Sequence, residues 1–224
     1  MKHSVSQPVL VRIRAGSVSL EGDLQVPDDA TGVVLFAHGS GSSRHSTRNR
    51  FVARELQAVG LATFLIDLLT SEEEAIDQHT AHLRFDIPLL AERLVAATQW
   101  LGNDPSTRAL KIGYFGASTG AAAALVAASN EPDRVGAVVS RGGRPDLAGD
   151  ALPRVRAPTL LIVGGRDLTV LELNRAAMAL MRTEVQLEIV PGATHLFEEP
   201  GALETVAHLA RDWFLGYLSP KKTD

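Results

Sequence analysis

The chain of 224 residues is 45% hydrophobic and 21% charged, with a formal net charge of −4 at pH 7. This length allows a single domain with a sizeable core, and the mild charge argues against general nucleic-acid binding or an anionic membrane partner. The chain has no cysteine, which excludes disulfides, thiolate metal sites and a cysteine nucleophile.

Strand and helix patterns alternate along most of the chain. The run 9–14 and the alternating run 18–26 predict an antiparallel hairpin. Later strands are predicted at 32–37, 61–66, 110–115, 135–139, 159–163 and 185–190, and helices at 48–59, 87–101, 118–129, 171–181 and 203–218. Nearly continuous apolar strands between amphipathic helices indicate a mostly parallel sheet of about seven to eight strands, with helices on both faces. We therefore predict one α/β domain over 1–224, without a separate cap domain.

The segment 67–86 interrupts this alternation. A charge run at 71–74 is followed by His79 and His82. We interpret the segment as a solvated loop with a short helix, and the alternative is a wall or flap beside the functional site. The two histidines have no suitably spaced partner for a metal site, so no metal is predicted.

The ends of the chain carry few structural signals. Residues 1–8 lack a signal-peptide pattern, and no apolar run approaches the roughly 20 residues that span a bilayer. We expect a cytoplasmic protein without a membrane partner, with flexible termini at about 1–8 and 219–224. The sequence leaves a homodimer open.

The motif Gly116-Ala117-Ser118-Thr119-Gly120 lies between an apolar strand and an alanine-rich helix. In that context a Gly-x-Ser-x-Gly motif predicts a nucleophile elbow, a turn so tight that it exposes the serine hydroxyl. Small glycine residues let the strand and the helix approach each other around the serine. Ser118 is therefore the candidate nucleophile.

A serine nucleophile needs a histidine base and an acid that orients the histidine. Asp167 follows the strand at 159–163, and His195 lies in the loop after the last strand. Both stand in the chain order Ser, Asp, His that accompanies this elbow. Taken singly, Asp167 could be only a helix N-cap and His195 only structural. Their joint position at strand ends predicts a Ser118–Asp167–His195 triad.

Two backbone N–H groups are needed to stabilise a developing oxyanion. We predict the Thr119 N–H, directly after the nucleophile, and the Ser40 N–H in the loop after the strand at 32–37. The Gly39 N–H is the alternative to the Ser40 N–H as this donor, and Gly39 is also a candidate substrate contact. The glycines near Gly41 match neither a dinucleotide fingerprint nor a P-loop.

These motifs together resemble the α/β-hydrolase superfamily, over the whole chain. The motifs that carry the resemblance are 38–41, 116–120, 165–167 and 192–195, and three further stretches are similar to its dienelactone-hydrolase-like branch: 38–46, 84–87 and 140–146. The resemblance implies a serine hydrolase of esterase type, without a metal or an organic cofactor, acting on a small-molecule ester. It also implies that His38 holds its loop by hydrogen bonding rather than acting as the base. Dienelactone hydrolase proper has a cysteine nucleophile, so dienelactone is not carried over as the substrate.

Several arginine residues are candidates for substrate binding. Arg44 follows the oxyanion loop, while Arg141 and Arg144 follow the strand at 135–139. Arginine suits a carboxylate through bidentate pairing. The alternative is that Arg144 pairs with Asp146, or that the arginines only brace loops.

Hydrolysis of small or flexible acyl esters through an acyl-enzyme is the function that the sequence favours. An acyltransferase or a perhydrolase could use the same residues, and a ligand-binding relative with little turnover is a further alternative.

Overall fold

The computed structural model of the protein describes residues 7–220. One eight-stranded sheet organises it, in the order β1-β2-β4-β3-β5-β6-β7-β8. The strands are β1 Val9–Ala15, β2 Val18–Gln25, β3 Gly32–Ala37, β4 Leu61–Ile66, β5 Lys111–Ala117, β6 Val135–Arg141, β7 Thr159–Gly164 and β8 Val185–Val190. The pairs β1/β2 and β2/β4 are antiparallel, and all the other pairs are parallel.

Helices cover both faces of the sheet. They are α1 Thr47–Gln57, α2 Ser71–Thr80, α3 Ile87–Leu101, α4 Thr119–Asn130, α5 Leu168–Leu180 and α6 Ala202–Leu218, with 3-10 segments at Leu83–Phe85 and Pro145–Arg154. Residues of α3 and α4 form a core with one face of the sheet, and residues of α1 and α6 form a second core with the other. The mostly parallel α/β fold predicted from the sequence is thus confirmed.

The burial of each strand follows its apolar pattern. All six residues of β3 are buried, with Val33 and Leu35 in one core and Val34 and Phe36 in the other. Alternate side chains point to opposite faces of a strand, so a strand covered on both faces must be apolar throughout. The edge strands β1 and β8 are partly exposed, in agreement with the alternation in their sequences.

The segment 67–86 is more ordered than its sequence suggested. Helix α2 fills ten residues of it and begins with a capping box between Thr70 and Glu73. The Glu73 carboxylate also pairs with buried Arg93 of α3 at 2.5 Å, while buried Asp77 pairs with Arg84 at 2.6 Å. The interpretation of 67–86 as a solvated segment with a short helix is met in part: most residues of 71–86 are exposed, but Glu73 and Asp77 tie the segment to arginines.

Two further predictions concern the chain ends and the membrane. Of the termini predicted to be flexible, 1–6 and 221–224 lie outside the described residues. Within 7–220, no helix is both long and apolar enough to cross a bilayer. The cytoplasmic location and the homodimer remain predictions.

Candidate active site

Ser118 joins β5 to α4 in a strained conformation. Its φ of 50° and ψ of −121° lie in a region that residues with a side chain rarely adopt, at a cost of about 1–3 kcal/mol. The surrounding backbone holds this conformation. The Ser118 N–H donates to the carbonyl of Arg141 at 3.4 Å, and the Ser118 carbonyl accepts from the N–H groups of Ala121 and Arg144, each at 3.1 Å.

Glycine is required on both sides of Ser118 because the chain segments approach too closely for a side chain. A Cβ atom on Gly116 would lie 2.4 Å from the Cα atom of Ala121, and one on Gly120 would lie 2.3 Å from the carbonyl oxygen of Ala37. Both contacts are with backbone, which cannot move aside as a flexible side chain can. The motif therefore forms the tight strand–turn–helix that its sequence predicts.

Asp167 and His195 meet at the same edge of the sheet. Asp167 comes three residues after β7 and directly precedes α5, but its side chain makes no capping hydrogen bond to that helix. Its carboxylate instead accepts a hydrogen bond of 2.7 Å from Nδ1 of His195. This bond fixes the tautomer with the proton on Nδ1 and leaves Nε2 as an acceptor. The carboxylate side chain is 16% exposed and the histidine 38% exposed, so the ring is open to an incoming molecule.

Gly142 brings His195 close to the segment that supports Ser118. A Cβ atom on Gly142 would lie 3.1 Å from the carbonyl oxygen of His195 and 3.5 Å from its Nδ1. Gly142 directly follows Arg141, whose carbonyl accepts the Ser118 N–H. The end of β6 thus contacts both the predicted nucleophile and the predicted base.

Ser40 and Thr119 connect the loop after β3 to the first turn of α4. Their hydroxyl oxygens are 3.0 Å apart, and a Cβ atom on Gly39 would lie 3.1 Å from Cβ of Ser118. The Thr119 N–H is in the first turn of its helix, where no intrahelical acceptor exists. Neither this N–H nor that of Ser40 donates to a protein acceptor within residues 7–220. Two unengaged donors therefore belong to segments next to Ser118.

His38 holds the loop that carries Ser40. Its Nδ1 donates to the carbonyl of Gly39 at 3.0 Å, and its Nε2 accepts from the Leu68 N–H at 2.9 Å. Burial lowers the pKa of this histidine, which favours the neutral ring that both hydrogen bonds need. With both nitrogen atoms engaged, His38 has no free atom for proton transfer.

An apolar recess lies beside the two unengaged N–H groups. Ser40 and Thr119 line it together with Leu68, Leu69 and Leu90, and Glu74 of α2 and Arg84 also contribute. Helix α2 is therefore part of a wall beside the site, as one interpretation of 67–86 proposed. The sequence reasoning missed the three leucines, although Leu68 and Leu69 follow the carboxyl end of β4, where side chains line a site in this class of fold.

Two of the predicted substrate-binding arginines are occupied by carboxylates of the protein. Arg44 pairs with Asp67 and, at 2.9 Å, with Glu21. Arg144 makes a bidentate pair with Asp146, with distances of 2.8 and 2.7 Å. Both therefore brace loops, as the alternative interpretation held, and their role as substrate contacts remains a prediction.

Arg141 differs from these two residues because it is buried, with 7% of the residue exposed, and its Nε atom has no hydrogen-bond acceptor among residues 7–220. Its guanidinium carbon lies 6.0 Å from the centroid of the Phe197 ring. Among the same residues, no group of three His, Asp or Glu side chains could hold a metal ion. The absence of a metal and of a cofactor from the activity remains a prediction.

The sheet order and the residues at its carboxyl edge define an α/β-hydrolase fold. The model of the dienelactone hydrolase family matches residues 20–214, and the chain belongs to this family. A dienelactone hydrolase from Anabaena variabilis ATCC 29413 is 63% identical, with a TM-score of 0.92, and the match covers 95% of this chain and 100% of that one. Est1E from Butyrivibrio proteoclasticus has a TM-score of 0.78 at 16% identity, over 94% of this chain and 98% of that one, and shows the fold alone.

Two curated relatives come from Mycobacterium tuberculosis, strains CDC 1551 / Oshkosh and ATCC 25618 / H37Rv. Each is 61% identical over 208 residues and is named "Putative phosphoribosyl transferase". The match covers 93% of this chain but 46% of each relative. The chain therefore spans about half the length of these relatives.

Proposed function

We propose that the protein is a serine hydrolase that cleaves carboxylic esters through an acyl-enzyme. The observation that carries the proposal is the 2.7 Å hydrogen bond between Asp167 and His195, beside a serine held in a strained turn. A serine hydroxyl is a weak nucleophile, and an oriented neutral imidazole is the group that activates it.

In the first half of the reaction, Nε2 of His195 takes the hydroxyl proton while Oγ of Ser118 attacks the ester carbonyl. The Asp167 carboxylate stays ionised and stabilises the imidazolium that forms. The negative charge on the former carbonyl oxygen is stabilised by the N–H groups of Ser40 and Thr119. When the C–O bond breaks, the imidazolium gives its proton to the departing alcohol, and the acyl group remains on Ser118.

In the second half, a water molecule replaces the alcohol. His195 takes a proton from the water, and the resulting hydroxide attacks the acyl carbonyl. Collapse of this second tetrahedral species releases the carboxylic acid and returns the proton to Ser118. No separate cap domain covers the carboxyl edge of the sheet within residues 7–220, and an open site favours small or flexible acyl groups.

The name of the mycobacterial relatives does not alter this proposal. More than half of each relative lies outside the region that this chain matches, since the match covers 46%. We attribute the phosphoribosyl transferase name to that remaining length. The hydrogen bond between Asp167 and His195 near Ser118 supports acyl transfer to water instead.

The proposal is tested with p-nitrophenyl esters of increasing acyl length. We expect turnover of the shorter esters, and we expect Ser118→Ala to lower kcat by about a million-fold. Ser129→Ala, at the far end of the same helix, is the matched control and should retain activity. A fluorophosphonate probe should label wild type at Ser118 and fail to label Ser118→Ala.

Substantial activity in Ser118→Ala, or labelling at another serine, would disprove the assignment. Product analysis in the presence of a competing alcohol or peroxide separates hydrolysis from acyl transfer and perhydrolysis. Formation of the new ester or peracid as the main product would replace hydrolysis with one of those reactions.

A further inference from the structure

A polar cavity adjoins the loop that carries Ser40, on the side of α2. It has a volume of about 510 Å³ and lies between residues within 41–45 of that loop and residues within 69–78. Cavities that bind small molecules have volumes of about 300–1,000 Å³. Four residues line both this polar cavity and the apolar recess: His38, Gly41, Leu69 and Glu74. Since Ser40 and Thr119 line the recess, the polar cavity lies next to the proposed oxyanion donors.

The arginines next to the polar cavity are already paired. Arg44 binds Asp67 and, at 2.9 Å, Glu21. Arg84, which lines the neighbouring recess, binds the carboxylate of Asp77 at 2.6 Å, and Asp77 is fully buried. Neither guanidinium group is therefore free to neutralise a further carboxylate.

Glu74, in the first turn of α2, is a carboxylate without a partner. It makes neither an ion pair nor a side-chain hydrogen bond among residues 7–220. The residue is partly buried and lines both the polar cavity and the recess. Its charge also reaches the loop after β3, because burial lowers the pKa of His38 and the charges of Asp67 and Glu74 oppose that change. The polar cavity thus contains one negative charge that no cation of the described chain offsets.

The helix dipole alone does not explain the position of this carboxylate. Glu72, Glu73 and Glu74 all lie in the first turn of α2, where negative side chains are stabilised. Glu73 also caps the helix and pairs with Arg93, while Glu72 is exposed. Of the three, only Glu74 lines the polar cavity. Glu72 therefore offers a comparison with the same charge in the same turn but outside the cavity.

We propose that the polar cavity binds a cationic group of the ester substrate, a substituted ammonium ion, against Glu74. The inference rests on the proposed ester hydrolysis and names the class of substrate for that site. The carboxylate attracts the cation, while Leu69 and Ala75 give the cavity apolar surface for its alkyl groups. Even in bulk water, two opposite charges about 4 Å apart favour association by roughly fivefold. We therefore expect at least that preference for a cationic ester.

The test compares kcat/KM within two pairs of esters. In each pair a trimethylammonium group is replaced by a tert-butyl group, which has nearly the same shape but no charge. One pair varies the alcohol (choline acetate and 3,3-dimethylbutyl acetate), and the other varies the acyl chain (p-nitrophenyl 4-(trimethylammonio)butanoate and p-nitrophenyl 5,5-dimethylhexanoate). Each ratio is divided by the ratio of the alkaline hydrolysis rates, because the ammonium group also activates the ester chemically. For wild type we expect a corrected ratio of at least about fivefold in one pair, and that pair shows which half of the ester occupies the cavity.

Substitutions of the two glutamates then assign the preference. Glu74→Gln should bring the corrected ratio close to one, because the amide keeps the shape of the side chain but loses its charge. Glu74→Asp keeps the charge on a shorter side chain, so we expect an intermediate ratio. Glu72→Gln removes the same charge from the same turn and should keep the wild-type ratio. If Glu74→Gln does not fold, competition carries the comparison: choline chloride should inhibit hydrolysis of the neutral ester by wild type competitively, and more strongly than sodium chloride at equal ionic strength.

The outcomes separate this inference from the proposed function. A corrected wild-type ratio near one in both pairs, with turnover of the neutral esters and labelling of Ser118, would overturn the cation site and leave the hydrolase intact. An unchanged ratio in Glu74→Gln, or an equal fall in Glu72→Gln and Glu74→Gln, would overturn the cation site as well. Absence of both turnover and labelling would instead refute the hydrolase itself.

Discussion

The strained backbone at Ser118 gives a prediction about stability that does not depend on the catalytic proposal. We compare Ser118→Gly with Ser118→Ala, because both variants lack the hydroxyl. Alanine keeps the strain of a side chain at φ 50° and ψ −121°, and glycine relieves it. Relief of about 1–3 kcal/mol, less about 0.5–1 kcal/mol for the greater freedom of glycine in the unfolded chain, makes Ser118→Gly more stable by up to about 2.5 kcal/mol.

The measurement is the free energy of unfolding in urea, with calorimetry as a second readout. For a chain of this size the difference corresponds to a rise in Tm of up to about 10 °C for the glycine variant over the alanine variant. Ser129, in the last turn of α4, supplies the control, because there the order should be reversed and glycine should be the less stable. Finding Ser118→Gly below Ser118→Ala would show that the turn is not strained, and the reasoning would fail.

Three further predictions concern residues around the site. Burial lowers the pKa of His38, so the neutral His38 ring contributes fully to the free energy of unfolding above about pH 6.5. Below that pH the contribution is lost, by up to about 1.4 kcal/mol per pH unit, because the unfolded chain takes up a proton more readily than the folded one. His38→Gln should therefore flatten the pH dependence of the unfolding free energy below that pH, and an unchanged slope would contradict the assigned neutral ring. Asp167→Asn should lower kcat by roughly ten-thousand-fold without unfolding the protein, because His195 loses its orienting acceptor; steady-state kinetics with circular dichroism check this, and near-normal turnover would refute it. Gly120→Ala should abolish soluble folded protein, since its Cβ would lie 2.3 Å from a backbone oxygen, and a folded variant of wild-type stability would show that the turn can relax.

The fold could be predicted because the hydrophobic pattern of each strand agrees with how deeply that strand is buried. Strand β3 is apolar throughout and is buried on both faces, so its parallel, central position follows from its composition. The contact between Asp167 and His195 could also be predicted, because each residue follows a strand whose carboxyl end lies at the same edge of the sheet. Chain order and strand ends were sufficient to bring them together.

The pair between Arg144 and Asp146 was among the predicted alternatives, but the contacts of Arg44 were not predictable, because they depend on how distant strands pair. Glu21 on β2 and Asp67 after β4 reach Arg44 only because β2 runs antiparallel beside β4. No local pattern contains that pairing. Helix α2 was a different case, since a short helix was predicted within 67–86 and the capping box between Thr70 and Glu73 that begins it can also be found in the sequence.

The carboxylates around Arg44 have a consequence for how the neighbouring loop is held. The Arg44 guanidinium pairs with Glu21, Asp67 and, at 3.6 Å, Asp23. Arg12 also pairs with Glu21 and Arg50 with Asp23, so three carboxylates face three guanidinium groups. The loop with the Ser40 N–H is thus anchored to the β1–β2 hairpin by charge rather than by apolar packing. Dissolved ions weaken ion pairs by screening, and they weaken partly buried pairs such as these less than exposed ones. Ionic strength should therefore change how rigidly the loop is held without acting on the catalytic residues. If kcat for a neutral ester does not change with salt, the rigidity of the loop does not limit turnover.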